Sequence, residues 1–376
     1  MQYRPFGKLD FQVSALGFGA MRLPSKSADY TDIDEAQALE MIHYAIDHGV
    51  NYLDTAYGYH GGKSEILVGK ALKGGYRQKV KVATKLPTWL VNAAPDMDRY
   101  LDEQLRKLDT EHIDFYLFHD LNKDRWAKLE RLEALNWAEK AIQKGKIGHI
   151  GCSFHDDRET FKKIIDAYPW TFCQIQYNYL DIDHQAGQFG LQYAAQKGIA
   201  VVIMEPLRGG RLAHPPKEVQ RIFDEAPVKR SPVAWALLWL WNQKEVAVVL
   251  SGMSNLQQVK ENIEIASSSG VGLLSPEELK IIERAREAFE RLPSINCNAC
   301  KYCLPCPNGV NISRNFELYN DAFQKIAFED ARRKYLALPE EERASSCLGC
   351  GDCEDLCPQE LPIPELLEKV ARAFEE

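Results

Sequence analysis

Val80-Lys81-Val82-Ala83-Thr84-Lys85 and Ile113-Asp114-Phe115-Tyr116-Leu117-Phe118-His119 are two short runs rich in β-branched and aromatic residues, separated by a stretch with helical spacing, Asp96–Leu108. Short, mostly apolar runs are what a strand buried on both faces requires. The same unit recurs outward in both directions. Strands are expected at Val13–Gly17, Val50–Asp54, Val80–Thr84, Ile113–Phe118, Ile147–Cys152, Thr171–Gln176, Ile199–Met204 and Val246–Leu250. Amphipathic helices are expected between them. Asp34–His48 carries Ala36, Leu39, Ile42, Ala45 and Ile46 on one face; the others are Ser64–Leu72, Asp96–Leu108, Leu129–Lys144, Glu159–Ala167, Gln185–Gln196 and Pro232–Trp241. Asn255–Ile265 follows the last strand. Gly49, Gly145 and Gly198 each stand just before a strand, as helix stop signals do.

Strand–helix alternation over residues 1–265 predicts an α/β fold, a (β/α)8 TIM barrel, whose usual size is roughly 250 residues. The rival is a doubly wound open sheet, which needs a phosphate-binding glycine fingerprint. Gly17-Phe18-Gly19 lacks the third glycine. In Gly58-Tyr59-His60-Gly61-Gly62-Lys63-Ser64 the gap before Gly62 is one residue too short for a P-loop. The segment Tyr3–Ser14, turning at Gly7-Lys8-Leu9-Asp10, predicts a hairpin that plugs the bottom of the barrel.

The chain has 376 residues, 45% hydrophobic and 27% charged. This is a globular composition, with no run near the roughly 18 apolar residues of a membrane span. Met1–Phe6 has no apolar signal region, so a cytoplasmic protein is expected. A net charge of −8 without a basic tract argues against nucleic acid as a partner. Of the ten cysteines, Cys152 and Cys173 lie alone in apolar runs and read as buried thiols. The other eight fall between Cys297 and Cys357, and such crowding points to metal ligation rather than disulfides. The expected domains are a barrel over 1–290 and a small, mainly helical iron–sulfur domain over 291–376.

In this barrel class the chemistry lies at the C-terminal ends of the strands. There the second, third and fourth strands end on Asp54, Lys85 and His119, with Tyr59 five residues beyond the Asp. Taken singly, a strand-end Asp is a helix cap, a Lys is solvated, and a Tyr or His is packing. Together they form a specific device. A phenol is a poor acid at neutral pH, with a reference pKa near 10. A neighbouring ammonium stabilises the phenolate, and a buried carboxylate keeps the ammonium charged. The result is a general acid suited to protonating a carbonyl oxygen while a hydride attacks the carbon. A histidine can orient and polarise that oxygen.

Asp54-Thr55-Ala56 with Tyr59, Gly61-Gly62-Lys63-Ser64-Glu65, Lys85 and His119 resembles the aldo-keto reductase family over roughly residues 1–290. The resemblance implies a barrel that binds NADPH or NADH in extended form and reduces carbonyls to alcohols. It implies Tyr59 as proton donor, Asp54 and Lys85 as its tuning pair, and His119 as the orienting residue. It also implies that Ser153 and Gln174 bind the nicotinamide amide, with Phe154 where the family usually carries Asn. Met204 falls where an aromatic residue often stacks on the ring. Glu205, Leu207, Arg208 and Gly209 fall in the loop over the pyrophosphate, and Ser254, Gln258, Glu261 and Asn262 in the adenosine-binding segment. Gly252 and Gln258 stand where a cation often pairs a 2′-phosphate, which leaves NADPH and NADH both open; Arg208 could supply the charge.

The tail carries Cys297-x2-Cys300-x2-Cys303-x2-Cys306-Pro307 and Cys347-x2-Cys350-x2-Cys353-x3-Cys357-Pro358. Three cysteines at this spacing wrap one corner of a cubane, and the fourth serves the other cluster. Two [4Fe-4S] clusters are therefore expected, one on Cys297, Cys300, Cys303 and Cys357, the other on Cys347, Cys350, Cys353 and Cys306. Zinc modules group their ligands as two separated pairs instead. The wide separation of the runs, with helical Phe316–Asn320 and Phe323–Phe328 between, resembles the helical ferredoxin modules of large reductases. Barrel plus tail resembles an aldo-keto reductase subgroup with iron–sulfur extensions.

A hydride carries two electrons, a cluster passes one, and no flavin motif joins them. The expected function is thus an NAD(P)H-dependent carbonyl reductase whose tail is structural, redox-sensing or partner-docking, for instance toward a ferredoxin. The alternatives are an electron-transfer protein that uses the barrel as a scaffold, and a module that senses redox state through the cofactor without turnover. Substrate contacts are expected on Thr88–Pro95 and Leu121–Arg125, with Trp89 and Trp126 as candidate pocket walls.

Overall fold

Alternation of apolar runs with amphipathic stretches folds here as the sequence predicts. A computed structural model describes residues 1–27, 29–324 and 327–375. In chain order the strands are β1 (Tyr3–Phe6), β2 (Leu9–Ser14), β3 (Leu16–Gly19), β4 (Tyr52–Asp54), β5 (Lys81–Leu86), β6 (Ile113–Leu121), β7 (Ile147–Phe154), β8 (Phe172–Gln176), β9 (Ala200–Met204) and β10 (Val246–Gly252). Strands β3 to β10 close into a barrel in the order β10-β3-β4-β5-β6-β7-β8-β9. Every neighbouring pair is parallel, and Val249 opposite Leu16 seals the last strand to the first.

The antiparallel hairpin β1–β2 fills one end of the barrel. Phe6, fully buried, packs on Phe115 at 4.8 Å, Phe172 at 5.7 Å and Tyr52 at 5.9 Å between ring centroids. Tyr52 and Phe172 are the first residues of their strands, so the plug sits at the N-terminal end. Arg4 pins it by donating to the carbonyls of Gln243 at 2.9 Å, Val246 at 2.6 Å and Trp241. The opposite end is left for chemistry.

Three local expectations need correction. Val13–Gly17 is not one strand. Val13 and Ser14 end the hairpin, and the barrel strand starts at Leu16. The stretch Leu129–Lys144 is two helices, Lys123–Arg131 and Ala134–Gln143, because Glu133 takes a left-handed φ of 54°. The predicted helical run Phe323–Phe328 is also interrupted: one helix ends at Gln324, another begins at Phe328, and Lys325 and Ile326 lie outside the described residues.

By packing, the chain divides into two units: Met1–Pro206 with Leu237–Leu274, and Leu207–Ala236 with Ser275–Glu376. The second unit thus takes in a segment after β9 and the helix Pro276–Glu290, both inside the stretch 1–290 that the sequence assigns to the barrel. Within it, Arg230 pairs with Glu278 and Phe223 stacks on Trp235 at 5.8 Å. Its other core lies among the helices Ile312–Gln324, Phe328–Leu336 and Ile363–Glu375. There Phe316, Tyr335 and Phe374 are fully buried, and Cys297, Cys303, Cys306, Cys347, Cys353 and Cys357 pack against the apolar side chains.

Candidate active site and metal centre

Parallel registry brings the strand-end residues together. Asp54 pairs with Ala83, so Lys85 projects just beyond it on the next strand. Lys85 in turn pairs with Leu117, two residues before His119. Lys85 is fully buried, and its Nζ donates to Asp54 Oδ1 at 2.7 Å, to the Thr55 carbonyl at 2.8 Å and to the Tyr59 hydroxyl at 3.4 Å. The His119 ring stands edge-on to Tyr59 at 6.1 Å, and Trp89 lies 5.2 Å from His119. All four predicted catalytic side chains therefore meet at one end of the barrel.

Their electrostatics differ. Burial works against the Lys85 ammonium, but Asp54 and Tyr59 outweigh it and hold its pKa above the usual lysine value. Burial pushes the Asp54 carboxyl upward, opposed by Lys85. Burial, reinforced by Lys85, His155 and Arg125, drives the His119 pKa well below the ordinary 6.5. Its imidazole is therefore neutral at pH 7, and its Nδ1 is buried with no hydrogen-bond partner.

A second buried network, which the sequence does not announce, fixes the backbone of Lys85. Thr84 Oγ1 and Gln104 Nε2 both donate to Glu65 Oε1 at 2.6 Å. Gln104 Nε2 also donates to the Lys85 carbonyl at 2.9 Å, and Tyr116 donates to Gln104 Oε1 at 2.6 Å. The helices that carry Glu65 and Gln104 approach closely at Gly69, where a Cβ would meet the Lys107 carbonyl at 2.7 Å. The only sequence signal was a carboxylate, Glu65, set into an otherwise apolar helix start. His60, beside Tyr59, is structural: its Nε2 accepts from the Leu23 amide at 3.1 Å while its backbone holds a φ of 52°. Trp126 is buried against Trp170 as packing, so of the two tryptophans only Trp89 stands beside the catalytic set.

Ser153 on β7 lies directly opposite Gln174 on β8. Ser153 Oγ and Gln174 Oε1 are buried without hydrogen-bond partners, and Gln174 Nε2 reaches Met204 Sδ at 3.6 Å. An unsatisfied buried polar atom costs about 1–3 kcal/mol. Two side by side fit a carboxamide, which offers both a donor and an acceptor. Phe154 turns away onto Phe161 at 5.0 Å and offers no polar contact there. Past β10, the Ser254 amide donates to Gln258 Oε1 at 2.8 Å, and Asn262 donates to Ser251 Oγ at 3.0 Å. Glu261 is exposed and accepts from Gln257 at 2.8 Å. Glu205 follows β9 with a φ of 56° and lies 4.0 Å from Arg22. Leu207, Arg208 and Gly209 belong to the second unit, where Arg208 donates to the Asn296 side chain.

Cys297, Cys300, Cys303 and Cys357 line one cavity, closed by Ile312, Phe316 and Ile363. Four thiols facing one apolar-walled space fit a cubane. Burial, with the neighbouring Cys297 and Cys357 sulfurs adding to it, pushes the Cys303 thiol up to about 12, and iron would have to displace that proton. Cys347 and Cys350 lie close enough to Cys353 to raise its thiol further after burial, to about 11. Cys350 is exposed, and Cys306 packs against the same core as Cys347 and Cys353. Cys152 and Cys173 are paired neighbours on β7 and β8, both buried as expected.

Comparison with known proteins separates the barrel from the cysteine-rich tail. Residues 15–287 match the model of the Aldo/keto reductase family, and residues 296–361 match that of the 4Fe-4S dicluster domain. The chain is 28% identical over 326 residues to a protein of Glycine max named probable aldo-keto reductase 1, across 76% of this chain and 88% of that one. A solved aldo-keto reductase from Bacillus halodurans, in its holo form, superposes with a TM-score of 0.64 at 27% identity, across 76% of this chain and 96% of that one. An aldo-keto reductase from Klebsiella pneumoniae, solved in complex with NADPH, shares the fold with a TM-score of 0.61 at 23% identity, across 76% and 95% of the two chains.

Proposed function

Because this chain belongs to the aldo/keto reductase family and carries a 4Fe-4S dicluster domain, we propose that it reduces the carbonyl of a small aldehyde or ketone with NADPH or NADH, Tyr59 being the proton donor. The observation that carries this reading is the Lys85 ammonium, held on Asp54 at 2.7 Å and on Tyr59 at 3.4 Å. Tyr59 gives its hydroxyl proton to the carbonyl oxygen as that oxygen becomes an alkoxide. Lys85 stabilises the phenolate left behind, and Asp54 keeps Lys85 charged and aimed. The neutral imidazole of His119 orients the oxygen. When bound, the dinucleotide supplies the hydride. Ser153 and Gln174 would hold its carboxamide, Met204 would lie against the ring, and Glu205, Leu207, Arg208 and Gly209 would cover its pyrophosphate. Ser254, Gln258, Glu261 and Asn262 would face the adenosine end. The NADPH in the Klebsiella relative's complex makes NADPH the first cofactor to try. Anaerobic assays of NADPH and NADH oxidation against small aldehydes test the reading. Turnover with either cofactor is expected. Cluster reduction by the cofactor without aldehyde turnover would favour an electron-transfer role.

His119 yields a pH prediction. Its folded-state pKa lies below the ordinary 6.5, so the unfolded chain takes up that proton first. Its contribution to stability is present above pH 6.5 and is lost as the pH falls toward its folded value. The rate profile for reduction should show no limb near pH 6.5 that disappears in His119→Asn. Such a limb would mean that the imidazolium, not the phenol, gives the proton.

The tail's ligand sets are Cys297, Cys300, Cys303 with Cys357, and Cys347, Cys350, Cys353 with Cys306. In this picture the clusters serve structure, redox sensing or docking of a redox partner such as a ferredoxin. Cys357→Ala should abolish the same electron paramagnetic resonance signal as Cys297→Ala and remove about half the iron. Loss of the signal that Cys347→Ala abolishes would overturn the crossed assignment.

A further inference from the structure

The strand that carries the catalytic lysine outruns its neighbour. The pairing of β4 with β5 ends at Asp54 opposite Ala83, and the Thr55 amide adds a last rung by donating to the Ala83 carbonyl at 2.9 Å. Carbonyls along a strand face its two neighbours in turn, so the Lys85 carbonyl points to the side that β4 has already left. Gln104, fully buried on the helix Ala94–Leu108, fills that place: its Nε2 donates to the Lys85 carbonyl at 2.9 Å. The amide is itself held, because Tyr116 donates to its Oε1 at 2.6 Å and its Nε2 also donates to Glu65 Oε1 at 2.6 Å. The same turn of helix grips the other half of the pair. Lys107 Nζ lies 3.9 Å from the centroid of the Tyr57 ring, 3.1 Å from Glu103 and 3.6 Å from Glu65. Tyr57 donates to Glu103 at 3.1 Å, and it stands two residues before Tyr59.

We propose that Gln104 and Lys107 are positioning residues for the general acid: one helix holds the main chain of Lys85 through Gln104 and the loop of Tyr59 through Lys107, and so sets the gap between ammonium and phenol. This rests on the reading of Tyr59 as the proton donor. The gap is 3.4 Å, and in a buried site the attraction between ammonium and phenolate weakens as it widens. Lys85 on β5 faces the Tyr59 ring with its Nζ 5.0 Å from the centroid, His119 on β6 stands edge-on to it, and Asp54 on β4 lies behind Lys85. His119 is neutral at pH 7, so Lys85 supplies the positive charge that a looser helix contact would move away.

The test follows kcat for aldehyde reduction against pH, at saturating NADPH, with the full chain purified anaerobically with its clusters. An acid that must be protonated gives a limb that falls at high pH, and a more distant ammonium moves that limb upward. Gln104→Leu should lower the plateau by about ten-fold and move the limb up by about one unit. Lys107→Met should shift it in the same direction, and Lys107→Arg, which restores a cation over Tyr57, should bring the limb back. NADPH affinity, read by fluorescence titration, should stay within about two-fold throughout. If the parent's limb persists in Tyr59→Phe, the proton comes from another group and the underlying reading fails. If Tyr59→Phe removes the limb but Gln104→Leu and Lys107→Met scale the profile down without moving it, the donor reading stands and the positioning role is wrong. Lys107→Met keeps the apolar stem and its packing, so it decides alone should Gln104→Leu not fold.

Discussion

Tyr59→Phe should lower kcat for aldehyde reduction by about a thousand-fold, within the range that general acids contribute. The substitution removes one oxygen and keeps the buried ring, which is 8% exposed, so packing is preserved. Lys85 retains its bonds to Asp54 and to the Thr55 carbonyl, so the rest of the site keeps its geometry. NADPH affinity should therefore move by less than about two-fold, which assigns the loss to the chemical step. Single-turnover measurements with pre-bound cofactor check this directly. A variant that still turns over aldehyde would place the acid elsewhere, and His119 would be the next residue to test.

Lys85→Met should fail twice, in catalysis and in stability. Without the ammonium the phenolate has no counter-charge, and kcat should fall as in Tyr59→Phe. In addition, Asp54 would be left as an uncompensated buried carboxylate. Breaking one side of a buried pair typically costs about 3–5 kcal/mol. Asp54 already has one oxygen, Oδ2, without a partner, so no alternative donor stands ready. Denaturant melts should show the loss. Adding Asp54→Asn to Lys85→Met should recover much of the stability and none of the activity. A Lys85→Met protein as stable as the parent would mean that Asp54 is not charged in the folded state.

Much of this was legible because barrels obey local rules. Short apolar runs at regular spacing became parallel strands, and Asp54, Lys85 and His119 converge because each stands within two residues of the C-terminal end of its strand, on three neighbouring strands. The misreadings come from interactions that no local pattern encodes. Leu129–Lys144 holds no glycine or proline, yet Glu133 adopts a left-handed turn that splits it. The boundary between hairpin and barrel falls at Ser14, where one apolar run serves two strands. Glu65 and Gln104 were invisible as a pair because their contact depends on two helices meeting at Gly69. In the segment after β9, Arg208 and Arg211 hydrogen-bond to Asn296 and Gln324, far along the chain. Such long-range partners can be read only from the fold.

The seam between β3 and β10 sets the order in which a nascent chain can mature. Leu16 must wait for Val249, and Arg4 for Val246, so the cylinder cannot close until nearly two thirds of the polypeptide has left the ribosome. Leu207–Ala236 waits longer still, because Glu278, the partner of Arg230, is synthesised after the last stave. Cys297 and Cys357 emerge later still, after every strand of the barrel.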